Sequence, residues 1–469
     1  MTEHSLWAPR AWVDGRWQTA VLLEVDARGH WVSVTPGVDQ PGPAVTRLGG
    51  PVLPGLVNAH SHAFQRAFAG LAERRDRDAD DFWSWRERMY GVALALTPAQ
   101  LLAIAAQLYA ELLCGGYTQS CEFHYLQHAP DGTPYADPAT LSWALADAAH
   151  QAGMGLTVLP VLYERAGFAQ PTLRPDQRRF ASTAASVYAL YQAIQSSGRP
   201  LLNAGVAVHS LRAAAAESIV ALLHHVQDQD LPVHVHVSEQ TQEVDDCLQA
   251  TGVRPIAWLA RARLLDARWQ LVHATHATTA EIDAVGASGA GVVLCPSTEA
   301  NLGDGLCDLP GWLSAAVPLT LGSDSQVSRC WAQELRWLEY GQRLGLGQRN
   351  VAAEPALGQN ATAARLFEAV LAGSGRAAGL PHWGLVRGAR ADALVLDDQA
   401  AGLAGLPTSH TLDGLVFATD APALREVYVA GRRVVADGRH LHQAEISRRF
   451  AQAMAEGLPG VKELVMANA

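Results

Sequence analysis

Short apolar runs rich in β-branched residues alternate, through the middle of the chain, with longer stretches of helical period. The stretches PAQLLAIAAQLYAELLCGG (98–116) and ESIVALLHHVQDQ (217–229) carry apolar residues at the three- and four-residue spacing of amphipathic helices. Eight runs, each followed by a helix or loop, predict an α/β fold of the (β/α)8 TIM-barrel type. The runs lie at 52–59, 117–124, 155–162, 203–210, 232–238, 269–275, 290–296 and 318–323.

The two ends of the chain have a different pattern. The first 54 residues contain short strand-like pieces broken by glycine and proline, WVDGRW and HWVSVTPG. Beyond about residue 380 the alternation of a sheet returns in ADALVLD and REVYVAGRRVVADG, whose AGR indicates a hairpin turn. We therefore predict that residues 1–54 and 375–469 form one small β-sandwich domain beside a catalytic barrel of residues 55–374.

Composition restricts the class of protein and its partners. Of 469 residues, 49% are hydrophobic and 17% charged, which is typical of a globular chain with a large core. The formal net charge of −11 argues against a nucleic-acid partner, because phosphate binding requires a basic face. The six cysteines form no CxxC pair, and neither a signal sequence nor a membrane-length apolar run is visible. We predict a cytoplasmic protein with free thiols and no membrane partner.

Residues that carry chemistry stand where the apolar runs end. His60 and His62 end LPGLVNAHSH, His236 lies in LPVHVHVSE, His273 in WQLVHATH, and Asp324 in VPLTLGSDS. The carboxyl ends of barrel strands meet at one face, so these side chains are expected to converge. Imidazoles and a carboxylate are ligands for a divalent metal ion that activates water. The sequence therefore predicts a metal-dependent hydrolase.

A lone HxH pair is weak evidence for metal binding, and several histidines have a simpler interpretation. His234, two residues before His236, is predicted to pack or hydrogen-bond within the barrel. His276 is expected to cap a turn. A surface, supporting or structural role is expected for four other histidines, His124, His128, His224 and His225.

These motifs resemble those of the amidohydrolase superfamily, in which an HxH follows the first barrel strand and an HxxE marks the fifth. Here the HxxE histidine corresponds to His236 and its glutamate to Glu239. The resemblance implies one divalent ion, because the fourth run ends in VAVHS without the lysine common in two-metal members. Zn²⁺ is favoured, although the same ligands suit iron or manganese. The implied metal ligands are His60, His62, His236 and Asp324.

Catalytic roles follow from the chemistry of water attack on a carbon–nitrogen bond. Asp324 and His273 are expected to share the proton of the water and to orient the hydroxide. Glu239, which is not a ligand in this interpretation, is expected to move a proton to the departing nitrogen, which does not leave as an anion near neutral pH.

Longer segments resemble one branch of the superfamily more closely, the N-formimidoyl-L-glutamate deiminases of histidine degradation. The segments include AHSHAFQRAFAGL, DDFWSWRERMY, EFHYLQH and CPSTEANLGDG. This resemblance implies hydrolysis of N-formimidoyl-L-glutamate to N-formyl-L-glutamate and ammonia, a homodimer, and substrate contacts from Gln65, Tyr125 and His209. The chain departs from the family pattern at Gln326, where some relatives have histidine. Gln326 is not a predicted ligand, so this difference is expected to affect the fine positioning of the site and not its chemistry.

Two arginines suggest a substrate that bears carboxylates. Arg212 follows the end of the fourth run, and Arg86 lies in the aromatic segment WSWRERMY, which is predicted to cover the barrel mouth. In an acidic protein, guanidinium groups at a catalytic face favour a dicarboxylate amidine. An arginine early in a helix is also commonly a solvated charge, and Arg86 could instead contact a neighbouring subunit.

Two other functions remain open from the sequence. A deaminase of a heteroaromatic base, guanine- or triazine-like, would use the same metal ligands but gives the arginines no role. A non-catalytic scaffold that kept the barrel would be expected to lose ligands, whereas every predicted ligand is present in this chain.

Overall fold

The structure is a computed structural model that describes residues 2–75 and 81–456, and in it strands and helices alternate through the middle of the chain. The strands are β1 (Thr2–Val13), β2 (Arg16–Asp26), β3 (Trp31–Thr35), β4 (Thr46–Arg47), β5 (Val52–Pro54), β6 (Leu56–Ser61), β7 (Tyr117–His124), β8 (Gly155–Leu162), β9 (Leu202–Ala204), β10 (Val206–Val208), β11 (Val233–Val237), β12 (Trp269–His273), β13 (Gly291–Leu294), β14 (Leu319–Leu321), β15 (Ala393–Leu396), β16 (Leu424–Val429), β17 (Arg432–Ala436) and β18 (Arg439–His440).

The α-helices are α1 (Phe82–Ala95), α2 (Pro98–Cys114), α3 (Thr140–Ala152), α4 (Ala184–Gln195), α5 (Ala216–His225), α6 (Thr241–Thr251), α7 (Pro255–Arg261), α8 (Thr279–Ser288), α9 (Pro296–Leu302), α10 (Leu309–Ser314), α11 (Trp331–Leu346), α12 (Thr362–Ala377), α13 (Thr411–Phe417) and α14 (Gln443–Ala455). Short 3₁₀ helices lie at Ala63–Ala67, Pro175–Phe180, Pro355–Leu357 and Thr408–His410.

The eight predicted apolar runs form a closed parallel barrel. Its strands follow one another in chain order from β6 to β14, and β14 pairs with β6 to close the ring. The fourth position is shared by β9 and β10, which are separated by Gly205 and both pair with β8. A Cβ at Gly205 would lie 2.5 Å from the Pro232 carbonyl oxygen, so this close approach requires glycine. The predicted (β/α)8 barrel is confirmed.

Both termini contribute strands to a second sheet with the order β18-β17-β16-β15-β5-β1-β2-β3, and β4 pairs with β1. This sheet has its own core, which includes Leu23, Trp31 and Val395. The predicted β-sandwich domain from both chain ends is confirmed. The AGR turn lies between β16 and β17 as expected. WVDGRW, however, is a tight turn between two long strands, because Asp14 and Gly15 both adopt left-handed backbone angles.

The first apolar run is divided between the two sheets. Residues 52–54 form β5, which pairs with β1 and β15 in the terminal sheet, and the barrel begins at Leu56. The predicted boundaries after residues 54 and 374 stay predictions; the second falls inside α12. The last described helix, α14, packs on barrel helix α2, where the Ser447 hydroxyl donates to the Gln107 amide oxygen at 3.0 Å.

Within residues 2–75 and 81–456, no helix has the length and apolar character needed to cross a membrane. The six cysteines are free, as the sequence predicted.

Candidate metal centre and active site

Four predicted metal ligands converge at the carboxyl ends of the barrel strands. His60 is the penultimate residue of β6, His236 is the penultimate residue of β11, and Asp324 lies three residues beyond β14. His60 Nε2 lies 3.1 Å from His62 Nε2, 3.0 Å from His236 Nε2 and 3.3 Å from Asp324 Oδ1. All four side chains are buried. Strand ends that are distant in sequence therefore gather these donor atoms around His60 Nε2. The ligand atoms of His60, His62 and Asp324 lie within 4.8 Å of one another, and so do those of His60, His236 and His273.

Backbone carbonyl groups fix the orientation of two of these imidazoles. His62 Nδ1 donates to the Phe123 carbonyl at 3.0 Å, and His236 Nδ1 donates to the His209 carbonyl at 3.0 Å. With the proton on Nδ1, each Nε2 presents a lone pair to the shared centre. These carbonyl contacts supply the outer support that metal-binding histidines generally have.

The cluster fits a divalent cation. Lone pairs at 3.0 to 3.1 Å repel one another unless a cation or a proton lies between them. Burial lowers the pKa of His60 to about 3, and it also lowers the pKa of His62 and His236, so all three are neutral near pH 7. With metal–ligand bonds of about 2.0–2.2 Å and angles of about 90° to 110°, neighbouring donor atoms lie roughly 2.8–3.6 Å apart, a range that includes the observed spacing.

His273 lies beside this cluster and connects it to two carboxylates. Its Nε2 lies 3.7 Å from Glu239 Oε1 and 3.8 Å from Asp324 Oδ2, and its Nδ1 lies 3.4 Å from Glu299 Oε1. Burial lowers the pKa of His273, but Glu239, together with hydrogen bonds to Cys295 and Glu299, outweighs it and raises this pKa well above the usual value. The His273 imidazole is therefore protonated near neutral pH and lies as a cation beside these carboxylates.

Left-handed backbone angles occur at this end of the barrel, at His273 (φ 69°), Asp324 (φ 44°) and Gln326 (φ 69°). Such angles are unfavourable for residues other than glycine and persist where surrounding contacts hold them. The fully buried Gln326 amide donates to the Asp324 carbonyl at 2.6 Å and to Ser61 Oγ at 3.1 Å. Gln326 thus supports the segments that carry His62 and Asp324, because its amide nitrogen donates to groups of both segments.

Glu239 follows β11 and faces the same cavity. Burial raises its pKa to about 7, although the charge of His273 acts in the opposite direction. The Glu243 carboxylate accepts the backbone N–H of Glu239 at 3.1 Å and that of Ser238 at 3.2 Å, where Ser238 has φ 52°. Glu243 was missed by the sequence analysis. Its signal was an acid in the first turn of α6, a position from which a carboxylate reaches back to free N–H groups.

The five predicted substrate-binding side chains line the cavity that also exposes His62, His236, Glu239 and Asp324. They come from separate elements: a 3₁₀ helix, α1, and the loops that follow β7 and β10. The structure thus brings together Gln65, Arg86, Tyr125, His209 and Arg212. Gln65 Nε2 donates to the Tyr125 hydroxyl at 3.4 Å, and its buried Oε1 has no hydrogen-bond partner among the described residues.

The two predicted arginines lie together, and no carboxylate of the described part of the chain pairs with them. The guanidinium carbon of Arg86 lies 4.4 Å from the ring centroid of Trp83, and that of Arg212 lies 5.2 Å from it. Within residues 2–75 and 81–456, neither forms a salt bridge, and the buried Nε of Arg86 has no acceptor. Burial, together with the nearby charge of Arg212, lowers the pKa of Arg86. Two adjacent unpaired cations form a site for an anion.

Two tyrosines that the sequence analysis missed complete this wall of the cavity, Tyr90 and Tyr163.

Other histidines lie outside the cluster. His234 Nε2 donates to the Ala377 carbonyl at 2.9 Å, which is the structural contact expected for it. His128 contacts the Ala181 carbonyl at 2.9 Å.

A closed parallel barrel with three imidazoles and a carboxylate at its strand ends is the architecture of a metal-dependent hydrolase. The chain belongs to the amidohydrolase family, whose profile matches residues 52–434. This membership makes it a hydrolase, as the sequence predicted.

Individual relatives are similar over nearly the whole chain. A formimidoylglutamate deiminase from Pseudomonas aeruginosa is 45% identical over 459 residues, which cover 96% of this chain and 99% of that protein. The crystal structure of an amidohydrolase from Brucella melitensis is 40% identical, with a TM-score of 0.91 over 97% of this chain and 99% of that one. A structure described as an adenosine deaminase from Xanthomonas campestris with bound zinc shares the fold, with 22% identity and a TM-score of 0.78 over 97% of this chain and 98% of that one.

Proposed function

We propose that this protein hydrolyses N-formimidoyl-L-glutamate to N-formyl-L-glutamate and ammonia, a step of histidine degradation. The observation that carries the proposal is one cavity that joins a divalent-metal donor set to two arginines that have no carboxylate partner among the described residues. A dicarboxylate amidine has matching parts, an electrophilic carbon for hydrolysis and anions for the arginines. The relative from Pseudomonas aeruginosa named formimidoylglutamate deiminase supports this substrate.

We assign the metal to His60, His62, His236 and Asp324, which would hold one divalent ion. Such an ion supplies Lewis acidity that lowers the pKa of water and so provides a nucleophile near neutral pH. Zinc is our choice for the native metal because three nitrogen ligands and one oxygen ligand suit it, and because a solved structure of the same fold is described with bound zinc.

Glu239 has the properties of a proton shuttle. Because its pKa is raised to about 7, the carboxylate can accept a proton from the attacking water and then deliver it to the terminal nitrogen. His273, which lies 3.7 Å from Glu239, and Asp324 hold and orient the nucleophile from the other side. Addition to the formimidoyl carbon, followed by cleavage of the bond to the protonated nitrogen, releases ammonia.

The remaining side chains bind the rest of the substrate. Arg86 and Arg212 pair with its carboxylates. Gln65, whose buried Oε1 lacks a donor among the described residues, can accept a hydrogen bond from the amidine. Tyr125 and His209 add further neutral contacts in the same cavity.

The alternative is a related mononuclear enzyme that deaminates a heteroaromatic base, guanine- or triazine-like. A planar neutral base would leave both guanidinium groups unpaired in a buried wall, which is unfavourable. The metal-loaded protein should therefore be assayed for kcat/KM with N-formimidoyl-L-glutamate, guanine and an amino-substituted triazine. We expect turnover of the amidine and none of either base; the reverse result would replace the proposal with the alternative.

Two further parts of the proposal rest on the resemblance to formimidoylglutamate deiminases, a homodimeric assembly and a place in histidine degradation. The cytoplasmic location is proposed from the sequence, as described above. The choice of zinc over iron or manganese also remains a proposal, to be tested by metal analysis of the purified protein.

A further inference from the structure

Two tyrosine hydroxyls meet at the cavity wall near Arg86. Tyr90 belongs to α1, and Tyr163 directly follows barrel strand β8. Their oxygen atoms lie 3.2 Å apart, and both rings are almost fully buried. The fully buried side chain of Gln177 contacts both oxygens, with its Nε2 at 2.9 Å from Tyr163 and 3.4 Å from Tyr90.

The backbone fixes which end of the Gln177 amide faces the tyrosines. The Arg174 N–H donates to Gln177 Oε1 at 3.0 Å. An amide nitrogen is a donor with two hydrogens, and it accepts no hydrogen bond. Gln177 therefore donates to both tyrosine oxygens and takes up neither hydroxyl hydrogen.

Of the two hydroxyl hydrogens, only one then has an acceptor among the described residues. One of them can lie between the two oxygens, 3.2 Å apart, but not both. Among the described residues, the second hydroxyl hydrogen has no acceptor. Since a buried donor without an acceptor is unfavourable, its position on the wall of the cavity indicates an acceptor that comes with the ligand.

We propose that Tyr163 is the free donor and that it donates its hydroxyl hydrogen to a substrate carboxylate beside Arg86 and Arg212. Tyr90 then donates to Tyr163, so that Tyr163 accepts two hydrogen bonds, and acceptance of these bonds strengthens its own O–H as a donor. The inference extends the proposed function, because it assigns another specificity-determining contact to the same site.

Several contacts select Tyr163 over Tyr90 as the donor to substrate. Tyr163 makes the shorter hydrogen bond with Gln177 and stands at the rim formed by the barrel strand ends. Its ring centroid lies 4.3 Å from that of His209, another predicted substrate contact. Burial raises the pKa of the Tyr163 hydroxyl, while the nearby charges of Arg212 and Arg86 act on the same group in the opposite direction.

This arrangement has a consequence for specificity. The guanidinium groups of Arg86 and Arg212 line the same cavity as the Tyr163 hydroxyl, and all three offer donors to it. A group that binds them together must therefore offer only acceptors. A carboxylate satisfies this condition, whereas a carboxamide would place its N–H₂ against a donor. The site is therefore expected to reject a substrate analogue in which the carboxylate bound by Tyr163 is replaced by an amide.

The test compares Tyr163→Phe, Tyr90→Phe and the matched control Tyr188→Phe with the wild type. Tyr188 lies on α4, where its ring stacks on His225 away from the cavity. Steady-state kinetics with N-formimidoyl-L-glutamate give kcat and KM, and calorimetry gives Kd for N-formyl-L-glutamate without turnover. Tyr163→Phe should raise KM and Kd about tenfold or more while kcat stays within about threefold. Tyr90→Phe should have a smaller effect, and Tyr188→Phe none.

Unchanged KM and Kd in folded Tyr163→Phe would overturn the inference, and so would an equal or larger effect of Tyr90→Phe. If Tyr163→Phe fails to fold, Gln177→Glu replaces it. A carboxylate there accepts the Tyr163 hydroxyl hydrogen, so KM should rise; an unchanged KM would again contradict the inference. If Tyr163→Phe weakens binding of N-formyl-L-glutamate but the wild type turns over no amidine, only the proposed function is contradicted. A wild type that neither binds N-formyl-L-glutamate nor turns over the amidine would contradict both the inference and the proposed function.

Discussion

The cavity has a metal side and an arginine side, which differ in how their side chains are held. On the metal side, imidazoles with carbonyl partners stand on or directly beside barrel strands. On the arginine side, the guanidinium groups stack on Trp83, and neither has a carboxylate partner among the described residues. The metal side comprises His60, His62, His236 and Asp324, and the arginine side comprises Arg86 and Arg212.

Under the proposed function, this difference separates the residues that carry out the chemistry from those that recognise the substrate. The metal side is part of the sheet itself, so its geometry is set when the barrel forms. The arginine side is carried by α1 and by the loop after β10, and its charges are neutralised when an anion binds. Changes on the metal side should therefore abolish turnover, whereas changes on the arginine side should weaken substrate binding.

The largest effect is expected from the loss of a metal ligand. His236→Ala removes one of four donors, so bound metal should fall well below one equivalent and kcat/KM should fall by at least about four orders of magnitude. Metal analysis and turnover measure the two effects. The control is His234→Gln on the same strand, which keeps a donor for the Ala377 carbonyl and should retain metal. Stoichiometric metal and near-normal turnover in His236→Ala would remove His236 from the metal side.

The next largest effect is expected at Glu239. Glu239→Gln keeps size and polarity but transfers no proton, so kcat should fall about 10²–10⁴-fold while metal content stays at the wild-type level. Steady-state kinetics and metal analysis of the same preparation are needed. A variant with wild-type kcat would exclude Glu239 as the shuttle, and one without metal would indicate a ligand instead.

On the arginine side, Arg212→Ala should raise KM about 10–100-fold with a smaller change in kcat. A carboxylate distant from the reacting carbon is bound similarly in the ground state and the transition state, so its loss weakens binding. The control is Arg199→Ala, which removes a surface ion pair with Asp147. An unchanged KM for Arg212→Ala would contradict its role in carboxylate binding.

The pH dependence should report the proton shuttle. Since the pKa of Glu239 is raised to about 7, the carboxylate form is lost as the pH falls below that value. The protonated form accepts no proton from water, so kcat/KM should fall about tenfold per pH unit below about 7. The residual activity of Glu239→Gln should lack this acidic limb. A wild-type profile that is flat down to about pH 5.5 would contradict the assignment.

The smallest effect is expected at Glu243, which holds the backbone that carries Glu239. Glu243→Gln leaves one acceptor oxygen for two N–H groups, so kcat should fall about three- to tenfold. Asp245→Asn, an exposed change on the same helix, is the matched control and should leave kcat unaltered. Equal effects of the two substitutions would show that Glu243 has no positioning role.

The sequence predicted the barrel and the convergence of its metal ligands because both depend on local pattern. A buried parallel strand is a short apolar run, and residues such as His60 and Asp324 stand directly at strand ends. The division of run 52–59 between two sheets was missed because only Gly55 separates β5 from β6 and apolar residues stand on both sides of it.

The contacts that the sequence analysis missed join residues that are far apart in the chain. Gln177 meets Tyr90 across 87 positions, and no periodicity signals such a pair. The arginine side was predicted chiefly through resemblance, because the position of Arg212 alone does not distinguish a solvated charge from a ligand contact. Strands can be predicted from the sequence pattern, whereas hydrogen-bond partners that are distant in the chain are identified only from the three-dimensional structure.

The central claim is that the metal side delivers water to an amidine whose carboxylates the arginine side holds. The most direct test is turnover of N-formimidoyl-L-glutamate by the metal-loaded protein in H₂¹⁸O, with ammonia and the carbon product identified. The account predicts ammonia together with N-formyl-L-glutamate that carries one ¹⁸O in its formyl group. Formamide and glutamate would show that the other carbon–nitrogen bond is cleaved, and absence of reaction with metal bound would contradict the substrate assignment.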